Sequence, residues 1–308
     1  MTSVQANGIT IEYAETGAPG APVILLIMGL GMQLIAWPQS FCDGLAARGF
    51  RVVRFDNRDV GLSTPMQAGS LAMTFKMARA MFGLPVRPPY MLTDMARDAL
   101  GLLDALGIAR AHVVGASMGG MIAQILAIEH PERVKSLTSI MSTTGDRRLP
   151  GPQAKVLLRA LLRPRPRSRA AAVRRVMALF RLIGGSAYPP ADAELRAQVE
   201  RAVQRSYRPG AVARQLIAIH AAPSRAQALR RVRVPALVLH GSDDPLVPMA
   251  CGEDTAANIP GARLRIVPGM GHFLPEALVP LLVDEIAEHC LDADAAQGRA
   301  ARAAGGSP

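Results

Sequence analysis

The chain has 308 residues, of which 50% are hydrophobic and 19% are charged. This balance excludes a disordered protein, and the length suits one large α/β domain with an insertion or two modest domains. The formal net charge of +11 would favour anionic partners, but basic and aromatic residues are not interleaved as in proteins that stack nucleobases, so we expect no nucleic-acid partner.

The cysteines and the apolar segments bear on compartment. Cys42, Cys251 and Cys290 are far apart and lack metal-ligand spacing, which favours free thiols and no metal. The first residues lack the basic start and apolar stretch of a signal peptide. The most apolar run, residues 23–30, is shorter than the roughly 20 residues that span a bilayer. We therefore predict a cytoplasmic protein without membrane insertion.

The first predicted element is a β-hairpin around Asn7-Gly8, a dipeptide that accepts the positive φ angles of a type I′ turn. Beyond it, short apolar runs rich in β-branched residues each precede a helix-like stretch, which is typical of a parallel sheet buried on both faces. The predicted strands are Val23 to Met28, Arg51 to Phe55, Ala111 to Val114, Val134 to Ile140, Ala236 to His240 and Arg263 to Val267. The sequence therefore predicts an α/β fold.

The strand signal disappears between about Gly145 and Ala226, where Arg- and Ala-rich helical patterns are broken by Pro and Gly. We interpret residues 145–226 as a helical cap insertion between two parts of the α/β core, residues 1–144 and 227–291. Residues 292–308 lack apolar periodicity and are predicted to form a flexible tail. The Arg/Pro run at 163–169 could bind an anionic lipid or substrate, but a solvated loop is the simpler interpretation.

The strongest chemical signal is Gly115-Ala-Ser117-Met-Gly119, which lies between a predicted strand and a helical pattern. In this setting the small residues of G-x-S-x-G allow a sharp turn that projects the serine hydroxyl above the sheet edge. The positive end of the following helix also favours developing negative charge beside Ser117. We predict that Ser117 is a nucleophile, with a chance occurrence of the motif as the alternative.

A serine nucleophile requires a base and a group that orients the base. After this motif the acid is expected next and the histidine last, each following a later strand. Asp244 and His272 satisfy that order, in turn-rich loops. We choose Asp244 over Asp243, which would more naturally hold the turn, although capping of the loop is an alternative role for either acid. The other histidines lack this chain order. A structural role is the default for them, with His240 supporting the acid loop, and His220 could approach the pocket.

A tetrahedral oxyanion needs two backbone N–H donors. We expect one from Met118, the residue after the nucleophile, and the other from Leu30, in the glycine-flanked loop after the first parallel strand. Those glycines could also serve a tight strand–helix turn.

Candidate substrate-pocket residues are Gly29, Met32, Val247 and Phe273.

A set of short motifs occurs in a fixed order, namely Met28-Gly-Leu-Gly31, Phe55-Asp-Asn-Arg-Asp-Val-Gly-Leu-Ser63, Gly115-Ala-Ser-Met-Gly-Gly120, His130-Pro-Glu-Arg-Val134, Gly241-Ser-Asp-Asp-Pro245 and Gly271-His272. Over about residues 5 to 290, the chain resembles the α/β-hydrolase superfamily, in particular the branch of aclacinomycin methylesterase and related bacterial carboxylesterases and lipases. The resemblance implies an eight-stranded, mostly parallel sheet, a helical cap between strands six and seven, and ester hydrolysis without a cofactor.

That resemblance assigns Ser117, Asp244 and His272 as the catalytic triad and Leu30 and Met118 as the oxyanion donors. One departure concerns the oxyanion loop, where many relatives have His-Gly in place of Met28-Gly29. We therefore expect packing, rather than an imidazole, to support this loop.

The function predicted is a serine hydrolase that cleaves a small, hydrophobic carboxylic ester through an acyl-enzyme, without a metal. The chain is rich in methionine, at Met28, Met32, Met73, Met77, Met81, Met91, Met95, Met118 and Met121. Flexible thioethers suit irregular apolar ligands, although plain core packing is the alternative role for these side chains. Two other functions stay open. One is a carbon–carbon bond hydrolase or cofactor-free perhydrolase with the same triad, and the other is a non-catalytic ligand-binding protein, because fold does not fix function.

Overall fold

An eight-stranded sheet organises the chain. The computed structural model describes residues 1–66, 79, 84, 86–161, 166, 168–189 and 191–305. The strands are β1 (Thr2–Ala6), β2 (Ile9–Thr16), β3 (Val23–Ile27), β4 (Arg51–Phe55), β5 (Ala111–Ala116), β6 (Val134–Ile140), β7 (Ala236–Gly241) and β8 (Arg263–Val267). Their order is β1-β2-β4-β3-β5-β6-β7-β8. Only the pairings of β2 with β1 and with β4 are antiparallel, which confirms the predicted mostly parallel sheet.

The amino-terminal hairpin forms where the sequence places it. Asn7 and Gly8 have φ angles of 49° and 75°, as a type I′ turn requires. Ala6 consequently pairs with Ile9, and the register continues to Thr2 opposite Tyr13.

Helices cover both faces of the sheet. They are α1 (Gln39–Ala47), α2 (Leu92–Ala105), α3 (Met118–Glu129), α4 (Ala154–Leu161), α5 (Arg169–Ile183), α6 (Asp192–Arg205), α7 (Pro209–Ala221), α8 (Ala226–Leu229), α9 (Met249–Asn258) and α10 (Val279–Gly305). Leu25 and Ile27 of β3 pack in one core with α2 and α3, whereas Ile24 and Leu26 pack in a second core with α1 and α10. This alternation follows from the two-residue period of a strand. No helix in the described part of the chain is long and apolar enough to cross a membrane.

Helices α4 to α7 lie between β6 and β7, within residues 145–226, and we retain those residues as the proposed bounds of the insertion. Helices α5 and α6 share a small hydrophobic core of their own, made of Ala172, Val173, Met177, Leu195, Val199 and Val203. Most of the Arg/Pro run at 163–169 lies outside the described residues, as do Met73, Met77 and Met81.

Arginines of the insertion neutralise two carboxylates of the segment that follows β4. Asp56 and Asp59 are fully buried. Arg205, at the end of α6, places Nη1 2.7 Å from Asp56 Oδ2. Arg214, in α7, donates from Nε and Nη2 to the two oxygens of Asp59 at 2.5 and 2.6 Å. Because a buried carboxylate without a partner is costly, the insertion and the core stabilise each other.

We expect Arg214→Met to lower the free energy of unfolding by about 3 kcal/mol, because it removes the cation from a buried pair. Asp59 keeps hydrogen bonds from the Tyr90 hydroxyl and the Met66 amide, both at 3.0 Å, which limit the loss. Urea denaturation measures this change. The matched control is Arg181→Met, which removes an exposed pair with Asp192 and should cost less than about 1 kcal/mol. Equal losses in the two variants would contradict the importance of the buried pair.

The carboxyl-terminal helix continues where the sequence analysis predicted a flexible tail from residue 292. Helix α10 extends to Gly305. Ala293 is buried, Asp294 lies 2.9 Å from Lys135 Nζ, and Gln297 donates to the Lys135 carbonyl at 2.8 Å. Alanine is a strong helix former but adds little hydrophobicity, so the helix continues without an apolar periodic signal. Residues 306–308 lie outside the described chain.

Candidate active site

Ser117 occupies a sharp turn between β5 and α3. Its φ and ψ angles are 56° and −118°, a region that residues other than glycine rarely adopt. A Cβ on Gly115 would lie 2.1 Å from the Gly119 carbonyl oxygen, and one on Gly119 would lie 2.0 Å from the Ile27 carbonyl oxygen. The glycines of the motif are thus required by close backbone approach as well as by the turn.

Hydrogen bonds from β6 and the loop after it hold this turn in place. The Ser117 amide donates to the Ile140 carbonyl at 2.8 Å, and the Ser142 hydroxyl donates to the Ser117 carbonyl at 2.7 Å. The surroundings therefore fix the strained backbone, as a conformation of this kind needs in order to persist.

His272 lies in the loop after β8 and faces Ser117. Its Nε2 atom is 2.8 Å from Ser117 Oγ, and the residue is 8% exposed. The His272 amide donates to the carbonyl of Ile183, the last residue of α5, at 2.6 Å. The insertion thereby contributes to the position of the imidazole.

Asp244 completes the hydrogen-bonded series. Its Oδ2 atom lies 2.6 Å from His272 Nδ1, while Oδ1 accepts the amides of Leu246 and Val247, both at 2.8 Å. The second oxygen is therefore engaged by the loop, which fixes the orientation of the carboxylate. Because the carboxylate accepts from Nδ1–H, the hydrogen-bond network leaves Nε2 as the acceptor for the serine proton.

The residues around Asp244 explain why its neighbour does not take this place. Asp243 is exposed and accepts from the hydroxyls of Ser186 and Ser242. His240 Nε2 donates to the Val247 carbonyl at 2.8 Å, so this imidazole braces the loop, and burial lowers the pKa of His240. The sequence analysis likewise placed Asp244, rather than Asp243, against the histidine.

The predicted oxyanion donors lie beside Ser117. A Cβ on Gly29 would be 3.1 Å from Ser117 Cβ, so the backbone that carries Leu30 approaches the nucleophile closely. Met118 is the first residue of α3, where a helix leaves its amides without internal partners. Among the described residues, no hydrogen bond occupies the N–H of Leu30 or Met118.

Support for this loop differs from the sequence expectation. We expected packing alone to replace the missing imidazole, but two buried side-chain amides also hydrogen-bond the loop. Asn57 donates to the Met28 carbonyl at 2.9 Å, and Gln215 accepts from the Gly31 amide at 2.7 Å. Sequence reasoning missed the role of Gln215. Asn57 stands in the motif after β4, so a signal existed for it, whereas Gln215 lies in the insertion, in helix α7, outside every motif of the sequence analysis.

A cavity of about 140 Å³ lies between the insertion and the loop after β3. It reaches the oxyanion loop at Gly31, and most of its lining side chains are apolar, including Met32, Val176, Phe180, Val199, Val203 and Val212. Phe180 also makes an edge-to-face contact with Phe273, with ring centroids 5.5 Å apart. The cavity therefore borders the loop that carries Leu30, and Phe180 connects its wall to the loop that carries His272.

The predicted pocket residues take different positions around this cavity. Met32 lines it, Phe273 lies behind Phe180, and Gly29 lies against Ser117. Val247 is on the Asp244 loop and is not among the residues that line the cavity. Of the other described methionines, Met28, Met95, Met118 and Met121 are packed in the two cores.

The cysteines do not offer a competing nucleophile. All three are free and buried. Burial raises the pKa of Cys42 to about 11 and that of Cys290 to about 12, and it also raises the pKa of Cys251, so their thiols are protonated at neutral pH. Within the described ranges, no group of three or more His, Cys, Asp or Glu side chains could hold a metal ion.

Comparison with known proteins agrees with this architecture. The family described as alpha/beta hydrolase fold matches residues 22–276. The rhodomycin D methylesterase DauP of Streptomyces sp. (strain C5) is 30% identical, covering 93% of this chain and 96% of the relative. The putative carbamate hydrolase RutD of Caulobacter sp. (strain K31) is 29% identical, covering 88% and 91%.

Solved structures share the fold. The enol-lactonase from Burkholderia xenovorans LB400 aligns with a TM-score of 0.70 at 23% identity, covering 94% of this chain and 99% of that chain. The meta-cleavage product hydrolase CumD from Pseudomonas fluorescens IP01 aligns with a TM-score of 0.74 at 18% identity, covering 95% and 98%. The sheet order, the turn at Ser117 and the family match lead to one conclusion: the chain belongs to the α/β-hydrolase family.

Proposed function

We propose that this protein is a serine hydrolase of carboxylic esters, with Ser117 as nucleophile, His272 as base and Asp244 as the orienting acid. The observation that carries the proposal is the continuous hydrogen-bonded series, 2.8 Å from Ser117 Oγ to His272 Nε2 and 2.6 Å from His272 Nδ1 to Asp244. These distances lie within the reach that proton transfer requires.

In the proposed cycle, His272 Nε2 takes the Ser117 proton while Oγ attacks the ester carbonyl. Asp244 holds the required tautomer and stabilises the imidazolium that forms. His272 then protonates the departing alcohol. A water molecule activated by the same imidazole attacks the acyl-enzyme and releases the acid, so Ser117 regains its proton. Every proton in this cycle passes through His272.

The developing negative charge would be stabilised by the backbone amides of Leu30 and Met118. Each donor of this kind typically contributes about 2.7 to 4 kcal/mol to the transition state. The positive end of α3 adds about 0.3 to 1 kcal/mol. The aimed amides therefore outweigh the helix dipole, and the geometry of the loop after β3 decides how well the site works.

The apolar cavity beside the loop after β3 is the proposed site for an apolar group of the substrate. At about 140 Å³, it is close to the roughly 150 Å³ engineered cavity that binds benzene. One apolar group of that size would be accommodated beside the ester. Because a relative at 30% identity is a methylesterase, methyl esters of apolar acids are the first substrates to test.

A fluorophosphonate probe tests the proposed function directly. We expect one covalent adduct, located on Ser117 by mass spectrometry, together with hydrolysis of p-nitrophenyl butyrate. An adduct at another residue, or a folded protein without ester turnover, would overturn the proposal. Product analysis with a vinylogous diketone in parallel distinguishes an ester hydrolase from a carbon–carbon bond hydrolase, and assays with added peroxide distinguish a perhydrolase.

Enlarging a side chain in the cavity should shift chain-length preference. Val176→Phe fills space between α5 and the oxyanion loop, so we expect kcat/KM for p-nitrophenyl hexanoate, relative to the acetate, to fall about tenfold, which is typical of a steric change in an apolar pocket. Leu179→Phe is the matched control, because Leu179 lies on the same helix, is 38% exposed and does not line the cavity. An unchanged ratio in Val176→Phe would show that the acyl chain binds elsewhere.

A further inference from the structure

Hydrogen bonds fix three consecutive peptide groups in the loop after β3. The Met28 carbonyl accepts from Asn57 Nδ2 at 2.9 Å, the Gly29 carbonyl accepts from the Met32 amide at 3.2 Å, and the Gly31 amide donates to Gln215 Oε1 at 2.7 Å. A peptide group is planar, with its carbonyl and N–H pointing in opposite directions. Because the Gly29 carbonyl turns toward Met32, the Leu30 N–H points to the other side.

The hydrogen bond between the Gly31 amide and Gln215 is the shortest of these three. Its acceptor belongs to the insertion, 184 residues away in sequence. Gln215 is fully buried. Its Nε2 atom donates to the Arg58 carbonyl at 3.2 Å, while its Oε1 atom accepts from Gly31. The reverse orientation of the amide would place donor against donor and acceptor against acceptor. Both ends of the side chain therefore hold it in one position.

Gly31 shows how closely this loop approaches the insertion. Its φ angle is +68°, and a Cβ there would lie 2.7 Å from Val212 Cγ2. The loop thus turns in a left-handed conformation directly against α7, the helix that carries both Val212 and Gln215. Asn57, from the core, holds the loop at Met28, and Gln215 holds it on the other side of Leu30.

We propose that Gln215 is a positioning residue that aims the Leu30 N–H at the oxyanion, so that the insertion completes the oxyanion hole. This inference rests on the proposed function. Gln215 does not touch the reacting atoms but acts through the Leu30–Gly31 peptide. The position of α7 on the core therefore affects the stabilisation of the transition state.

Gln33 provides a matched control because it is also a buried glutamine that connects this loop to the insertion. Its Nε2 atom donates to the carbonyls of Ala202 and Ser206 at 2.7 and 2.9 Å. These bonds do not involve the peptide groups on either side of Leu30. Gln33→Met therefore weakens the attachment of the insertion while leaving the Gly31 bond in place.

The test compares Gln215→Met, Gln215→Glu and Gln33→Met with the wild type, using p-nitrophenyl butyrate as substrate and phenylboronic acid as a tetrahedral inhibitor. We expect Gln215→Met to lower kcat and boronate affinity together by about 10- to 100-fold, less than the roughly 100- to 1,000-fold typical of deleting a donor. KM should stay within about threefold of the wild type, because the lost stabilisation belongs to the transition state. Gln215→Glu retains an oxygen acceptor and should recover part of the boronate affinity.

Two outcomes would overturn the inference: unchanged boronate affinity in Gln215→Met, or an equal loss in Gln33→Met. If Gln215→Met lacks a cooperative thermal transition, the decision is made with Gln215→Glu. Boronate affinity in Gln215→Glu equal to that in Gln33→Met would then overturn the inference. Failure of the proposed function has a different signature, because wild-type protein would then neither bind the boronate nor carry the fluorophosphonate on Ser117.

Discussion

Ser117→Ala is expected to lower kcat for p-nitrophenyl butyrate by about 10⁴- to 10⁶-fold, the range found when a triad nucleophile is removed. The substitution deletes the hydroxyl that lies 2.8 Å from His272 Nε2, and with it the acyl-enzyme route. The oxyanion donors and the substrate cavity persist, so a small residual rate above that in water should persist as well. Initial rates, together with fluorophosphonate labelling, measure both effects.

Ser142→Ala is the matched control for this loss. Ser142 is also buried and hydrogen-bonds the Ser117 carbonyl, but its hydroxyl has no part in the proposed proton transfer. We expect its kcat to stay within about tenfold of the wild type, because it removes one neutral hydrogen bond. Retention of one per cent of the wild-type rate by Ser117→Ala would contradict the role of Ser117.

Asp244→Asn is expected to lower kcat by about 10⁴-fold, as the equivalent change does in a serine protease triad. The asparagine amide can donate to Nδ1, and that bond favours the tautomer in which Nε2 carries the proton. Nε2 then cannot accept the proton of Ser117. Steady-state rates measure the loss, and circular dichroism establishes that the fold is retained.

The adjacent acid, Asp243, provides a matched control for this experiment. Asp243→Asn changes the same functional group one residue earlier, but Asp243 faces Ser186 and Ser242 at the surface. We expect kcat to change by less than about threefold, as is usual for an exposed polar contact. Comparable losses in the two variants would assign the effect to distortion of the loop rather than to the His272 tautomer.

Much of this architecture could be predicted from local sequence. Asn7-Gly8 specifies its own turn, and the largely apolar runs of β3, β5 and β7 predict strands because these strands are buried along their whole length. The glycines around Ser117 indicate a backbone that approaches its neighbours too closely for a side chain. In each case the residue types along one short segment carry the signal.

Contacts distant in sequence could not be predicted in this way. The insertion contains many arginines, and nothing in their spacing distinguishes Arg205 and Arg214, which bind Asp56 and Asp59, from those on the surface. Gln215 has the same difficulty, because its partner is 184 residues away. The extension of α10 was missed for another reason, since Ala293 packs through a methyl group that leaves no apolar pattern.

The arginine pairs that join α6 and α7 to the segment after β4 have a consequence for protein engineering. Exchange of residues 145–226 for a segment without arginines at the positions of Arg205 and Arg214 would leave Asp56 and Asp59 buried without these cations. Such a chimera would carry two uncompensated charges in its interior. A graft of such a segment therefore requires that the loop from Asp56 to Asp59 be exchanged together with it.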